Sequence, residues 1–224
     1  MALVRPAVYD NLAQRMPLPG DLLSGAEVIL TNATVGSTVV TAAQLISGIL
    51  NRSGSAGAFA DTLPTATLLI NALLSNTFLG SGSYGPLGVL NGTTFRLRYI
   101  NSVAFVDTIT APDTSVTLGA NTAIAASSVK EFLITITNGT QAQLFAANQT
   151  NASAVITGLS ALQTSMLTAG MLVTGTNIPA STLVLSVQPG VGVTLSANAT
   201  ATLSGNPLTF SPTYRIDSLG QMLL

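Results

Sequence analysis

Fifteen side chains carry all the charge of this 224-residue chain, seven basic and eight acidic, and it has neither histidine nor cysteine. Without histidine there is no imidazole base for a catalytic triad and no histidine ligand for a metal. Without cysteine there is no disulfide, thiolate zinc site or thiol nucleophile. Two carboxylates in one cleft could do acid–base work, but along the chain the acids are scattered. The nearest are Asp21 with Glu27 and Asp107 with Asp113. A hard cation at Asp61, Asp107 or Asp113 would need carboxylate and carbonyl oxygens, and no loop has the alternating Asp/Asn spacing of such a site. The lone Lys130 would serve as a Schiff-base lysine only if buried; beside Glu131 it reads as half of a surface ion pair. Arg96 and Arg98 share one strand face, where they suit Asp107 on a neighbouring strand or an acidic partner. The stretch Gly80-Ser81-Gly82-Ser83-Tyr84-Gly85 lacks the lysine and helix of a phosphate loop and reads as a loop or interface contact. The expectation is no catalytic residue, no metal ligand and no cofactor: a protein that is not an enzyme.

Charged residues are 7% of the chain, against about 25% in an average soluble protein. Apolar residues are an ordinary 47%, and threonine, present 30 times, fills much of the gap. A net charge of −1 leaves no basic patch for nucleic acid. Mean hydropathy is high, +0.56, yet no run of about 20 apolar residues is long enough to cross a membrane. The first residues lack a basic-then-apolar leader, so synthesis in a cytoplasm is expected. A chain with so little charge tends to associate. It is expected to bury much of its surface against copies of itself or a partner. Seven Asn-x-Ser/Thr triplets, at Asn32, Asn51, Asn91, Asn138, Asn148, Asn151 and Asn198, read better as turns than as glycan acceptors.

Residues 1–24 hold three prolines, Pro6, Pro17 and Pro19, which break regular structure. They predict an extended arm, either a loose terminus or one that docks on a partner through Arg5, Pro6, Tyr9, Leu12, Arg15 and Leu18. Residues 25–147 predict a β-sandwich or jelly-roll-like domain of short strands between turns. Its clearest strand is Thr94 to Ile100, with Phe95, Leu97 and Tyr99 on one side. Residues 41–50 fit a helix or a strand. One short helix is expected near residues 62–74, with Thr62 as N-cap and Pro64 in the first turn. Asn148 to Ser153 reads as a linker, and residues 154–224 as a small β domain and tail. The fold class is therefore all-β.

Two stretches carry a resemblance. The first runs from Thr41 to Thr137 through Gly57-Ala58-Phe59-Ala60, Asp61-Thr62-Leu63-Pro64-Thr65-Ala66, Gly92-Thr93-Thr94-Phe95-Arg96-Leu97 and Phe132-Leu133-Ile134-Thr135. It resembles a β-rich module of tailed-bacteriophage virion proteins of the capsid decoration (cement) and head-fibre type. Leu18-Pro19-Gly20-Asp21-Leu22-Leu23 resembles a leader of phage structural proteins. The second, Ala169 to Ala180 and on to Ser196, is similar to a small β unit of phage fibres. The resemblance implies a homotrimer on the capsid surface of a virion. It would bind and stabilise the major capsid protein lattice without catalysis, its arm reaching across capsid subunits. The alternative it leaves open is a receptor-binding head or tail fibre protein.

Overall fold

The computed structural model describes residues 28–75 and 90–223. In chain order, β1 (Val28–Asn32) leads through α1 (Ala42–Ile46) to β2 (Gly48–Arg52), β3 (Phe59–Thr62) and α2 (Ala66–Ser75). Then come β4 (Thr94–Asn101), β5 (Asp107–Thr110), β6 (Val116–Leu118), β7 (Ala123–Ile124), β8 (Ser128–Asn138) and β9 (Gln143–Gln149). The last stretch contains β10 (Val155–Thr157), α3 (Ala161–Ser165), β11 (Leu172–Thr174), β12 (Val184–Gln188), β13 (Gly192–Leu195), β14 (Leu203–Ser211) and β15 (Thr213–Leu223). The protein is all-β, as its alternating strands predict.

The first sheet has the order β1-β2-β4-β8-β15-β6. Its inner face is set by period-two alternation: Phe95, Leu97 and Tyr99 of β4 and Phe132, Ile134 and Ile136 of β8 are buried, while Arg96 and Arg98 point out. Leu45 of α1, Leu69, Ile70 and Leu73 of α2, and Ile109 and Ile124 of the small sheet β3-β5-β7 complete this core. The sheet is not a simple meander. β1, β2 and β4 run parallel, and α1 makes the crossover between the first two.

The second sheet, β11-β14-β9-β10-β13-β12, has its own core around Ile156, Met171, Val173, Val193, Leu208 and Phe210. Its two ends meet. The Gly170 amide donates to the Val184 carbonyl at 2.8 Å and the Val173 amide to the Thr182 carbonyl at 2.7 Å. Leu172 and Leu183 form a bridge. The sheet thus closes on itself, which removes its edges.

The sheets do not follow the boundary expected between residues 147 and 154. β9 belongs to the second sheet, and Asn148 and Gln149, expected in a linker, complete it. β15, expected with the C-terminal β unit, lies inside the first sheet between β8 and β6. The second sheet is therefore an insertion between two adjacent strands, β8 and β15, which pair along most of their length. Asn138, at the end of β8, fixes the junction by donating to Thr168 Oγ1 and the Ala169 carbonyl, both at 2.9 Å.

Three helices occur among the described residues, where the sequence predicts one. α1 and α3 are five residues each, too short to show a 3.6-residue period. Each opens with a capping box, Thr41 with Gln44 and Ser160 with Gln163. Residues 41–50 are helix and then strand, switched at Gly48, whose φ of +84° favours glycine. Thr62 does not cap α2, because it ends β3 four residues before the helix begins and its Oγ1 bonds Thr110 Oγ1 at 3.1 Å. Thr65 Oγ1 accepts from the Leu68 amide at 3.3 Å instead. Among Ser37 to Val40, only Val39 makes a bridge, to Thr62.

Candidate assembly surface

The titratable side chains that sequence spacing keeps apart are brought together inside the protein. Arg52 ends β2 on the inner face and is wholly buried. Its Nε lies 2.7 Å from Asp61 Oδ2, off the hydrogen-bond axis, and its Nη2 donates to Asp61 Oδ1 at 3.2 Å. Nη1 donates to the Thr34 carbonyl at 2.7 Å and Nη2 to the Gly36 carbonyl. The guanidinium also sits 4.5 Å from the centre of the Phe59 ring. The loops it holds press close: a Cβ on Gly54 would fall 2.0 Å from the Ala33 carbonyl oxygen.

Tyr99 joins this group from β4. Its hydroxyl lies 2.7 Å from Asp61 Oδ2 and also bonds Asp107 Oδ2. Asp107 Oδ1 accepts from the Asp61 amide at 3.2 Å. Asp61, Tyr99 and Asp107 are all fully buried. Burial pushes the Asp107 carboxyl up to about 6, and the nearby Asp61 adds to the rise, against the lowering effect of the Tyr99 hydrogen bond. Burial, with both carboxylates, drives the Tyr99 hydroxyl far above its usual value. One hydroxyl proton cannot satisfy two carboxylates. Below about pH 6 a protonated Asp107 resolves this by donating to Tyr99, which then donates to Asp61. The cluster is an internal brace between the first sheet and the β3-β5-β7 layer.

Several expectations change accordingly. The acids are not all scattered, since Asp61 and Asp107 share one hydroxyl. Asp113 stands apart and caps a turn, accepting from the Ser115 amide at 2.8 Å. Lys130 does not pair with Glu131. It is buried, and its Nζ donates to the Asn121 and Ala123 carbonyls; burial lowers its pKa. Adjacent strand residues face opposite sides, so Lys130 points in and Glu131 out. Glu131 pairs with Arg98 at 3.2 Å; Asp107 is on the wrong side of β4 for either arginine. Among the described residues no group of three His, Cys, Asp or Glu could hold a metal, and no helix is long and apolar enough to cross a membrane. Asn32 and Asn138 are buried and cap turns through the Thr34 and Thr140 amides at 3.0 and 2.9 Å, which explains two of the seven triplets. Arg5, Pro6, Tyr9, Leu12, Arg15 and Leu18, like the Gly80–Gly85 stretch, lie outside the described residues.

Among the described residues few charges stand unpaired on the outside. Ten charged residues fall among the described ones; four of them, Arg52, Asp61, Asp107 and Lys130, are buried. Four more are paired, Arg98 with Glu131 and Arg215 with Asp217, the latter at 2.7 Å. Only Arg96 and Asp113 stand outside an ion pair or the core. From Phe132 to Tyr214 there is no charged residue at all, so the closed sheet is uncharged throughout. Large apolar side chains reach the surface, notably Ile29 on β1 and Leu219, Met222 and Leu223 on β15.

Fold and surface together define an all-β protein with two cores, a buried ionic brace and, among the described residues, few charges outside the core and the ion pairs. The sequence matches no protein-family model and no curated protein. Among solved structures, the chain is similar to the phage phi92 endosialidase, at 18% identity and a TM-score of 0.23, over 43% of this chain and 17% of that one. The chain thus spans less than a fifth of that protein's length.

Proposed function

We propose that this chain is a non-catalytic structural protein of a virion, a capsid decoration (cement) protein. It works as a homo-oligomer, a trimer in this reading, that binds and stabilises the major capsid protein lattice. The observation that carries the reading is the surface. Over the described residues only two charged side chains stand outside the core and the ion pairs, and a surface this poor in charge favours association. The virion is the assembly that the resemblance of Thr41 to Thr137 and Ala169 to Ser196 supplies. Residues 1–24 engage neighbouring capsid subunits, and multivalent attachment of the oligomer strengthens that contact.

A receptor-binding fibre is the second reading. The uncharged, closed C-terminal sheet favours it, since its outer residues Asn148, Thr157, Thr174 and Thr209 offer hydroxyl and amide groups of the kind that neutral glycans bond. Particles lacking the protein separate the two. A cement predicts capsids that burst at lower temperature with normal adsorption; a fibre predicts lost adsorption with normal shell strength. If neither property changes, both readings fail. Deleting residues 1–24 is expected to abolish capsid binding while the remaining chain stays folded and oligomeric. Undiminished binding by the truncated chain refutes the role given to that segment.

A further inference from the structure

We infer that copies of this chain join edge to edge, β15 of one pairing with β1 of the next, to close a ring. This interface rests on the homo-oligomeric part of the reading above and not on its virion part. Strand register lines up four complete rows across the first sheet. Ile29, Ile49, Arg98, Glu131 and Gly220 form one; Leu30, Leu50, Tyr99, Lys130 and Gln221 the next. Thr31, Asn51, Ile100, Val129 and Met222 follow, then Asn32, Arg52, Asn101, Ser128 and Leu223. Over these rows the sheet is five strands wide, with β1 at one edge and the end of β15 at the other. β6 covers β15 only at Tyr214 to Ile216, and no described strand covers the outer edge of β1.

Among the described residues both edges are unguarded. An edge strand is normally blunted by lysine, proline or an inward charge, and neither Val28–Asn32 nor Ser218–Leu223 contains a charge or a proline. The second sheet of the same chain closes its own edges; the first does not among the described residues. Backbone direction suits pairing. Tyr214 and Ile216 turn their backbone groups toward β6, through the Tyr214 amide and the Ile216 carbonyl. On the β8 side their partners are Ile136 and Ile134, and the same alternating set continues to Lys130 and Ser128, opposite Gln221 and Leu223. Gln221 and Leu223 therefore aim their amides and carbonyls at the open edge.

The partner is a second copy because the two open edges occupy the same rows of one sheet. Joining β15 to β1 of the next copy continues the sheet in parallel, keeps outer face with outer face, and needs no shift along the strands. Such a head-to-tail contact makes a ring where its rotation closes and an open filament where it does not, and a homo-oligomer of fixed size needs the ring. Neither edge carries charge to repel its mate, and Met222, 63% exposed, meets the row of Thr31.

The chain has no cysteine, so Thr31→Cys with Met222→Cys gives a clean test on the full-length protein. Within one copy the two sit about 19 Å apart, four strand spacings, beyond disulfide reach. Oxidation is expected to give a covalent ladder that stops at the ring size on non-reducing gels, while each single cysteine gives none. Light scattering is expected to show a fixed multiple of the monomer mass. Met222→Glu with Thr31→Glu should raise the concentration for half-dissociation about a hundredfold, and Met222→Glu with Thr31→Lys should restore assembly. A monomeric wild type sinks the interface and the homo-oligomeric reading together. An oligomeric wild type with no cross-link and no response to the double glutamate sinks the interface alone, and includes the case where residues 1–27 cover β1. Dissociation by Met222→Glu that Thr31→Lys does not reverse also overturns it, in favour of β15 pairing with itself. Growth without a limiting mass overturns the ring.

Discussion

Arg52→Met lowers the unfolding free energy by about 3–5 kcal/mol, the usual cost of removing one partner from a buried ion pair. In a chain this long that is a fall in melting temperature of about 10 °C. The loss has two sources. Asp61 keeps a buried carboxylate without its guanidinium, and the carbonyls of Thr34 and Gly36 lose a charged donor. Arg52→Lys is expected to recover little, since one ammonium cannot span Asp61 and both loop carbonyls as the planar guanidinium does. Adding Asp61→Asn to Arg52→Met should cost less than the two single changes summed, because the second substitution removes the stranded charge. Urea denaturation of the four variants measures this. A loss below about 1 kcal/mol for Arg52→Met would mean that the guanidinium is solvated in the folded protein and that the brace is not buried. The same variant bears on assembly, because Arg52 shares a row with Asn32 at the end of β1. A weakened brace should loosen that edge as well.

The parts of the molecule legible in the sequence are those governed by local alternation. Phe95, Leu97 and Tyr99 alternate with Arg96 and Arg98, so β4 and its inward face follow from spacing alone. The same holds for β8. The brace is not local. Arg52, Asp61, Tyr99 and Asp107 sit on four strands, β2, β3, β4 and β5, and parallel pairing of β2 with β4 and β3 with β5 brings them together. Nothing in a period-two pattern announces a parallel register, and a lone arginine on a strand looks like surface. One signal was available at Lys130, since its neighbours Val129 and Glu131 face the opposite side from Phe132. Strand parity thus puts the lysine on the buried face, against the ion pair that adjacency suggests. The insertion of the closed sheet was hidden for a similar reason. β8 and β15 are far apart in sequence, and the Asn-rich stretch between residues 148 and 153 looks like a boundary although it finishes one strand and turns to the next. The candidate arm residues have no described counterpart, so their part in the site rests on the sequence alone.

Unfolding free energy is expected to fall as pH rises from about 4 to about 6, by an amount on the order of 2 kcal/mol, through Asp107. The direction follows from the raised pKa. In the unfolded chain the carboxyl loses its proton near the ordinary value of 3.8, whereas in the fold it holds the proton to about 6. Between those values the folded state binds more protons, so its stabilisation is complete below the lower pH and lost through the higher one. The groups around it are Asp61, Tyr99 and, behind Asp61, Arg52; Lys130 lies in the next strand beside Tyr99. A carboxyl between a tyrosine hydroxyl and a second carboxylate is more stable neutral, since ionisation would place two negative charges against one guanidinium. Asp107→Asn reproduces the neutral form. Its carbonyl oxygen can accept from the Asp61 amide while its amide donates to Tyr99. This variant should match or exceed the wild type at pH 7 and remove the slope between pH 4 and 6. Tyr99→Phe, which leaves both carboxyls without their shared hydroxyl, should destabilise at every pH by about 1–3 kcal/mol. Denaturation curves at pH 4.5, 5.5 and 7 decide the matter. Asp107 carries no extra proton in the folded protein if the asparagine variant is clearly weaker at pH 7 and keeps the wild-type slope. The brace would then hold two carboxylates against one arginine even at pH 4.5, and part of its stability would have to come from a second cation.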